Sequence, residues 1–423
     1  MKSPLFLKGS VVLTVLFLLL TACQLSANIA KSDLQRNTSP NVTSDDIHEL
    51  TDDNNTFALN LYQSFRARDG NLIYSPYSIS LALAMTYAGA RGETESQMAQ
   101  TMHFLPQNKL HSALNALDLE LDQRGEAQSK AETPLQLDIA NAIWAEQTFP
   151  VLKDFLDGIA QNYGAGIQLA DFIHGHEAVR KEINGWVSNK TNDKIQDLIP
   201  EGVLGPSTKM VLVNAIYFKA DWLYPFDSNN TSDARFHLLD GSDVQVKMMS
   251  QGFFGMAYAQ GNGCQAVELP YQGETAAMDI IVPDEGKFSE FESTLNPQKL
   301  TEILSNLRPN AYLELGLPKF TFSTDLDLKD RLTEMGISDA FDPDRADFSG
   351  MTGGRDLYIG TVIHKAFVAV NEKGTEAAAA TAGAMIESAP NVTLTIDRPF
   401  IFIIRDLPSG QILFVGRVLN PVE

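Results

Sequence analysis

Several side chains in this sequence could bear chemistry, and their spacing decides whether they do. His174-Gly175-His176-Glu177 puts three possible metal ligands close together, but no further ligands stand at matching spacing. The segment therefore reads as a solvated loop, and no metal is expected. Ser349, in Asp347-Phe348-Ser349-Gly350, is a hydroxyl in a polar loop with no base nearby in sequence, which fits a turn better than a nucleophile. The Gly-x-Ser-x-Gly elbow, His-Glu-x-x-His and the glycine-rich phosphate and dinucleotide loops are all missing, and no cofactor is expected. A Ser–His–Asp triad gathered from distant positions is the enzymatic arrangement that sequence leaves open, and an esterase assay with a serine-directed reagent tests it. Of the two cysteines, Cys264 has no partner for an intramolecular disulfide, so stability must come from an apolar core.

Any site must be held by the elements around it, and these suggest one large domain over residues 50–423. Helical periodicity predicts helices at 56–68, 78–90, 94–104, 109–122, 152–160 and 177–191. Apolar runs predict strands at 135–145, 209–218, 244–250, 265–270, 278–283, 311–318, 358–370, 401–405 and 411–418, several of them apolar enough to be buried on both faces. The fold class is mixed α+β. The formal charge of −21 makes the surface acidic, which keeps the domain soluble and argues against nucleic acid or heparin-like polyanions as partners.

The most unusual stretch is Glu372-Lys373-Gly374-Thr375-Glu376-Ala377-Ala378-Ala379-Ala380-Thr381-Ala382-Gly383-Ala384, which lies between two strand-like runs. Four alanines would normally join a helix. Gly374 and Gly383 bracket them, and Pro390 and Pro399 follow, so no helix of useful length is expected. The segment is predicted to be an exposed loop of residues small enough to enter a sheet. Thr375, Ala377, Ala379, Thr381, Gly383 and Met385 share one face and carry no charge, whereas Glu376, the only charge among these loop positions, falls on the other.

The order of motifs resembles the serpin family across residues 50–423. Asn71-Leu72-Ile73-Tyr74-Ser75-Pro76-Tyr77-Ser78-Ile79-Ser80, running on to Ala90-Arg91-Gly92-Glu93-Thr94, is similar to that family's early helix signature. Val213-Asn214-Ala215-Ile216-Tyr217-Phe218-Lys219-Ala220-Asp221-Trp222 resembles the third strand of its main sheet. Leu317-Pro318-Lys319-Phe320 and Val415-Gly416-Arg417-Val418-Leu419-Asn420-Pro421 resemble later strands. The resemblance implies a large central mixed β-sheet, two smaller sheets, about eight or nine helices and an exposed C-terminal reactive-centre loop at about 373–397. It also implies a protease inhibitor rather than an enzyme, acting as a monomer.

In that family a target endopeptidase, of the serine class or alternatively the cysteine class, forms an acyl-enzyme with the loop, whose freed upstream half inserts into the central sheet and carries the protease across the molecule. The family's spacing, counted from Gly374 and from Pro399, implies Ser388–Ala389 as the scissile bond, with Glu387, Ile386 and Met385 as alternative scissile residues. Ser388 suits an elastase-like or subtilisin-like pocket, Glu387 a glutamate-specific one, and Met385 or Ile386 a chymotrypsin-like or broad elastase-like one. The resemblance assigns Glu372, Gly374, Thr375, Glu376, Ala377, Ala378, Ala379 and Ala380 to the hinge. It places Ser75, Ser78, Asn214 and His364 in a buried polar shutter, and Trp222 at the breach where insertion begins. A noninhibitory relative that serves as a binding or chaperone-like module is the alternative.

The N-terminal residues suggest an address. Lys2 and Lys8 precede an apolar run at 11–20 that is too short to span a bilayer and has the form of a leader over 1–22. Leu20-Thr21-Ala22-Cys23 looks like a bacterial lipobox, which implies a diacylated Cys23 and a membrane as partner. Gln24 after the cysteine resembles an outer-membrane address, with the protein facing the periplasm or the exterior; an unused lipobox would mean secretion. Residues 23–49 are polar and are predicted to be a flexible tether. Asn391-Val392-Thr393 is a glycosylation triplet that a bacterial lipoprotein would not use.

Overall fold

Local chemistry sets the first boundaries. Thr43 caps helix α1 (Ser44–Phe65) by accepting the Asp46 N–H, while the Asp46 carboxylate accepts the Thr43 N–H. Ser75 caps α2 (Pro76–Tyr87), where Pro76 pre-sets the first turn. Every residue of α2 is buried, because its small and apolar side chains let it run between two sheets and contact both. The computed structural model describes residues 28–127, 135–310, 312–375 and 392–423. Cys23, Glu376, Ala377, Ala378, Ala379, Ala380, Met385, Ile386, Glu387, Ser388 and Ala389 lie outside the described residues.

The fold is α+β, with three sheets and, among the described residues, ten α-helices. That exceeds the expected eight or nine because short helices such as Ser349–Thr352, four residues long, carry no hydrophobic period to announce them. The central sheet holds β1 (Asn28–Ala30), β2 (Gln136–Glu146), β3 (Ile167–Ala170), β4 (Met210–Asp221), β5 (Phe320–Asp327), β6 (Thr361–Asn371) and β7 (Gly374–Thr375), in the spatial order β1-β3-β2-β4-β7-β6-β5. A second seven-stranded sheet includes Ala276–Pro283, Phe400–Asp406 and Ile412–Val418, and a four-stranded sheet includes Asp243–Phe253, Leu313–Pro318 and Val392–Thr395. Along most of their length β4 and β6 pair directly and in parallel, from Val211 opposite Thr361 to Tyr217 opposite Phe367. Only at the far end does β7 stand between them.

Two expectations need correction. The tether expected over 23–49 does not extend through its described part, because the chain is folded onto the body from Asn28 onward. β1 pairs antiparallel with β3, the Asn37 N–H donates to the Gln161 carbonyl at 2.8 Å, and Arg36 pairs with Asp118 at 2.6 Å. Polar composition concealed this, since the partners are backbone groups and carboxylates and not apolar core. His174, Gly175, His176 and Glu177 are also not a loop. They open α5 (Phe172–Lys190), which Asp171 caps and which kinks at Gly175 (φ −132°, ψ 22°).

One buried ion pair ties the second sheet to its covering helices. Arg417 is 1% exposed and donates to Glu292 at 2.8 Å and to the Arg66 carbonyl at 3.0 Å. Glu292 also accepts the Tyr62 hydroxyl at 2.8 Å. Removing one partner strands the other charge in a dry site. Glu292→Ala should cost about 3–5 kcal/mol, read as a lower urea midpoint, whereas the double change Glu292→Gln with Arg417→Met should cost less than Glu292→Ala alone.

Candidate functional site

The candidate site is the seam between β4 and β6 in the central sheet, with β7 at one end of it. At its upper end β7 pairs with both neighbours: Gly374 lies opposite Asp221 and Asn371, and Thr375 opposite Ala220 and Val370. A Cβ on Gly374 would stand 2.2 Å from the Ala220 carbonyl oxygen and 2.6 Å from the Asp221 Cα, so only glycine fits. Thr375 is 1% exposed, and its hydroxyl hydrogen-bonds to the Tyr271 hydroxyl at 2.8 Å. Tyr271 stacks on Trp222 with ring centroids 4.7 Å apart and planes 11° from parallel. The stretch from Glu372 was expected to be an exposed loop; Gly374 and Thr375 of it already occupy the sheet.

The chain leading into β7 is held just as closely. The Trp222 N–H donates to the Lys373 carbonyl at 2.6 Å, and the Phe226 N–H to the Glu372 carbonyl at 2.7 Å. The Trp222 indole donates to the Asn371 carbonyl at 3.0 Å. Glu372 accepts from Lys319 at 2.9 Å and from Thr231 at 2.8 Å. Partial burial pushes the Glu372 carboxyl up, but these hydrogen bonds outweigh it and hold the group below its ordinary range.

Lower down, the polar cluster expected from Ser75, Ser78, Asn214 and His364 is assembled, and it includes Asn141. His364 and Asn214 sit opposite each other across the β4–β6 seam. The Ser75 N–H donates to His364 Nε2 at 3.1 Å, so that nitrogen is the acceptor and Nδ1 carries the proton given to the Asn214 side-chain oxygen. The Asn214 amide donates to the Ser78 hydroxyl at 2.6 Å and to the Ser78 carbonyl at 2.8 Å, and also bonds to Asn141. All of these groups are neutral. Burial drives the His364 pKa down to about 3, so the ring stays uncharged.

Nothing here is arranged for catalysis. His364 faces an amide and a backbone N–H, not a nucleophile and a carboxylate. The Ser349 N–H donates to the Asp347 carboxylate two residues back in a local turn, and no group of three or more metal ligands occurs among the described residues. Sequence reasoning missed Asn141, Tyr271, Thr231 and the role of Lys319. Asn141 left a signal, being a lone amide in the apolar run Ile139-Ala140-Asn141-Ala142-Ile143. Tyr271 left none, because its partners come from three separate segments.

Comparison with known proteins places this geometry in context. Residues 52–421 match the family model described as Serpin (serine protease inhibitor). The chain is 39% identical over 389 residues to leukocyte elastase inhibitor A of Rattus norvegicus, covering 89% of this chain and 100% of that one. It is 36% identical to an uncharacterized serpin-like protein of Methanosarcina acetivorans, covering 88% of this chain and 87% of the other. Among solved structures it is similar to native tengpin, a thermophilic serpin, with TM-score 0.82, 30% identity and coverage of 93% and 99%.

The buried histidine gives a pH dependence whose sign follows from its depressed pKa. Between the ordinary value of 6.5 and about 3, the unfolded chain binds a proton at His364 that the folded chain refuses. Stability should therefore fall as pH drops through that window, by up to ~1.4 kcal/mol per pH unit from this group. Urea unfolding of His364→Gln should show a shallower fall than the parent; His111, lowered to about 4 by burial, remains in both proteins and cancels in the comparison.

Proposed function

This chain belongs to the serpin family, whose members are protease inhibitors and not enzymes, and from that premise we propose that it traps serine endopeptidases as a suicide substrate. The observation that carries the proposal is the register of β7. Thr375 lies opposite Ala220 in an antiparallel pair, so each further loop residue would fall opposite the preceding residue of β4. Continued in that register, Glu376 meets Lys219 on the outer face, Met385 meets Met210, and Ser388 passes just beyond the end of the strand. The loop thus has the length needed to fill the slot and leave its scissile residue outside it. Thr375 points inward, which puts Ala377, Ala379, Thr381 and Gly383 on the buried face, where small neutral side chains cost least.

The chemistry belongs to the target. Its serine attacks the Ser388 carbonyl, the Ser388–Ala389 bond breaks, and the amine of Ala389 leaves while the enzyme stays esterified to Ser388. Insertion of the freed segment then competes with hydrolysis of that ester. An elastase-like or subtilisin-like enzyme fits Ser388, in keeping with the leukocyte elastase inhibitors among the relatives. We further propose that Cys23 is diacylated and holds the protein on a bacterial outer membrane, facing the periplasm or the exterior; the trapping chemistry itself does not require this anchor.

Mixing the protein with pancreatic-type elastase or subtilisin should give a covalent band near the summed mass that survives denaturation, with the small C-terminal fragment beginning at Ala389. Cleavage without such a band would favour a noninhibitory binding module instead. Thr375→Arg should be cut at the same bond and give little complex. The guanidinium has no partner in the site that Thr375 fills, so β7 is expelled and insertion loses its start. Thr375→Ser should trap as the parent does; full complex yield from Thr375→Arg would refute insertion as the mechanism.

A further inference from the structure

We infer that the N-terminal segment is a short docked strap that orients the protein on its membrane, with the hinge end of the central sheet pointing away from the bilayer. The inference rests on the reading of Cys23 as the lipid-bearing residue. From Cys23 to Asn28, the first residue of β1, is five residues. Fully extended, that span reaches at most ~17 Å, whereas a domain of this size is ~50–55 Å across. The body therefore cannot tumble freely above the anchor. It must keep the β1 edge near the lipid surface.

The strap is firmly attached where it meets the body. β1 pairs with β3 from Asn28 opposite Leu169 to Ala30 opposite Ile167. The Ser32 hydroxyl donates to Asp157 at 2.5 Å, Arg36 bonds to Asn115 at 2.8 Å and pairs with Asp118 at 2.6 Å, and the Asn115 amide donates to the Asn37 carbonyl at 2.7 Å. Asn115 and Asp118 belong to α3 (Gln107–Ala127) and Asp157 to α4 (Lys153–Tyr163), so two helices and one strand grip the segment. A Cβ on Gly166 would lie 2.7 Å from the Ala30 carbonyl oxygen, which shows how closely the backbones approach. Two apolar side chains of the strap face outward: Ile29 is 47% exposed and Leu34 43%. On a chain of net charge −21 these are the groups suited to a headgroup boundary, and the negative charge favours a zwitterionic surface over an anionic one.

Register then fixes which end is which. Leu169 lies beside Ala145, and Ala145 beside Met210, so β1 is level with the start of β4. β7 is level with Ala220 and Asp221 at its end. Ten residues of strand separate the two levels, or ~33 Å. The loop therefore leaves the sheet at the end remote from the anchor, open to soluble enzymes. A strand that grew from β7 along β4 would run toward the membrane end, and an enzyme attached to it would finish there.

The test uses the full-length lipidated protein in phosphatidylcholine vesicles that carry a short-range energy-transfer acceptor on their headgroups. A donor dye is placed on Lys31→Cys, in the strap, or on Tyr224→Cys, an exposed position near the hinge; Cys264 is buried and stays unlabelled. Transfer should be several-fold stronger from position 31 than from position 224. A flexible Gly/Ser spacer of about twenty residues inserted before Asn28 should remove most of that difference. Equal transfer without the spacer, in protein that still floats with the vesicles, overturns the orientation while leaving lipidation intact. Failure to float, or flotation unchanged by Cys23→Ser, overturns the lipid reading and the orientation with it.

Discussion

The structure depends on a backbone ladder that is complete along most of its length and parted at one end. β4 and β6 are parallel neighbours over seven residue pairs, yet the chain leaving β6 turns back and starts β7 between them. Parallel ladders have slanted bonds and are slightly weaker per residue than antiparallel ones. A strand continuing from β7 would be antiparallel to both neighbours, so each step would exchange one parallel pairing for two antiparallel ones. At about 1 kcal/mol net per additional bond, the exchange favours extension once the seam has opened. What resists it is the cost of opening.

That resistance has a definite chemistry. Across the seam, His364 and Asn214 meet within a buried cluster of amides, hydroxyls and one imidazole, each satisfied by another. Separating them leaves polar groups dry until new partners arrive, which is a barrier and not a permanent loss. Because the cluster is neutral, it holds without the long reach of charges. At the upper end a different device operates. Trp222, stacked on Tyr271, caps the opening, and the backbone of 371–373 is bonded to the indole and to the strand it extends. The Thr375 hydroxyl joins that stack, so the first inserted residue is part of the fold and not an appendage to it.

The N-terminal segment adds a polarity that the sheet alone lacks. Its contacts are almost entirely polar: a three-residue pairing, an arginine shared between Asn115 and Asp118, and a serine on Asp157. Individually such surface contacts contribute little. Together they set one corner of the sheet apart from the corner that holds β7, so that the N-terminal segment docks at the end of β4 remote from Gly374 and Thr375.

Much of this was readable from residue order. The apolar runs of the buried strands and the Ser75-Pro76 helix start are local patterns, and each element at those places appears within a few residues of its expected limits. The alternation of β5, Phe320–Asp327, was also present and went unread. Composition misled where structure is made by polar contacts. Residues 28–43 look like a tether because their partners, Asn115, Asp118, Asp157 and the edge of β3, are far away in sequence. Likewise, no local pattern reveals that Tyr271 completes the hinge or that Asn141 joins the seam, since those bonds exist only once separate strands lie side by side. The sequence by itself determined the main buried strands and helices and which of their faces are apolar, because periodicity and steric size are properties of neighbouring residues. Tertiary structure alone decided that Gly374 and Thr375 already lie within the sheet, because that depends on the gap between Ala220 and Val370, which only strand pairing creates.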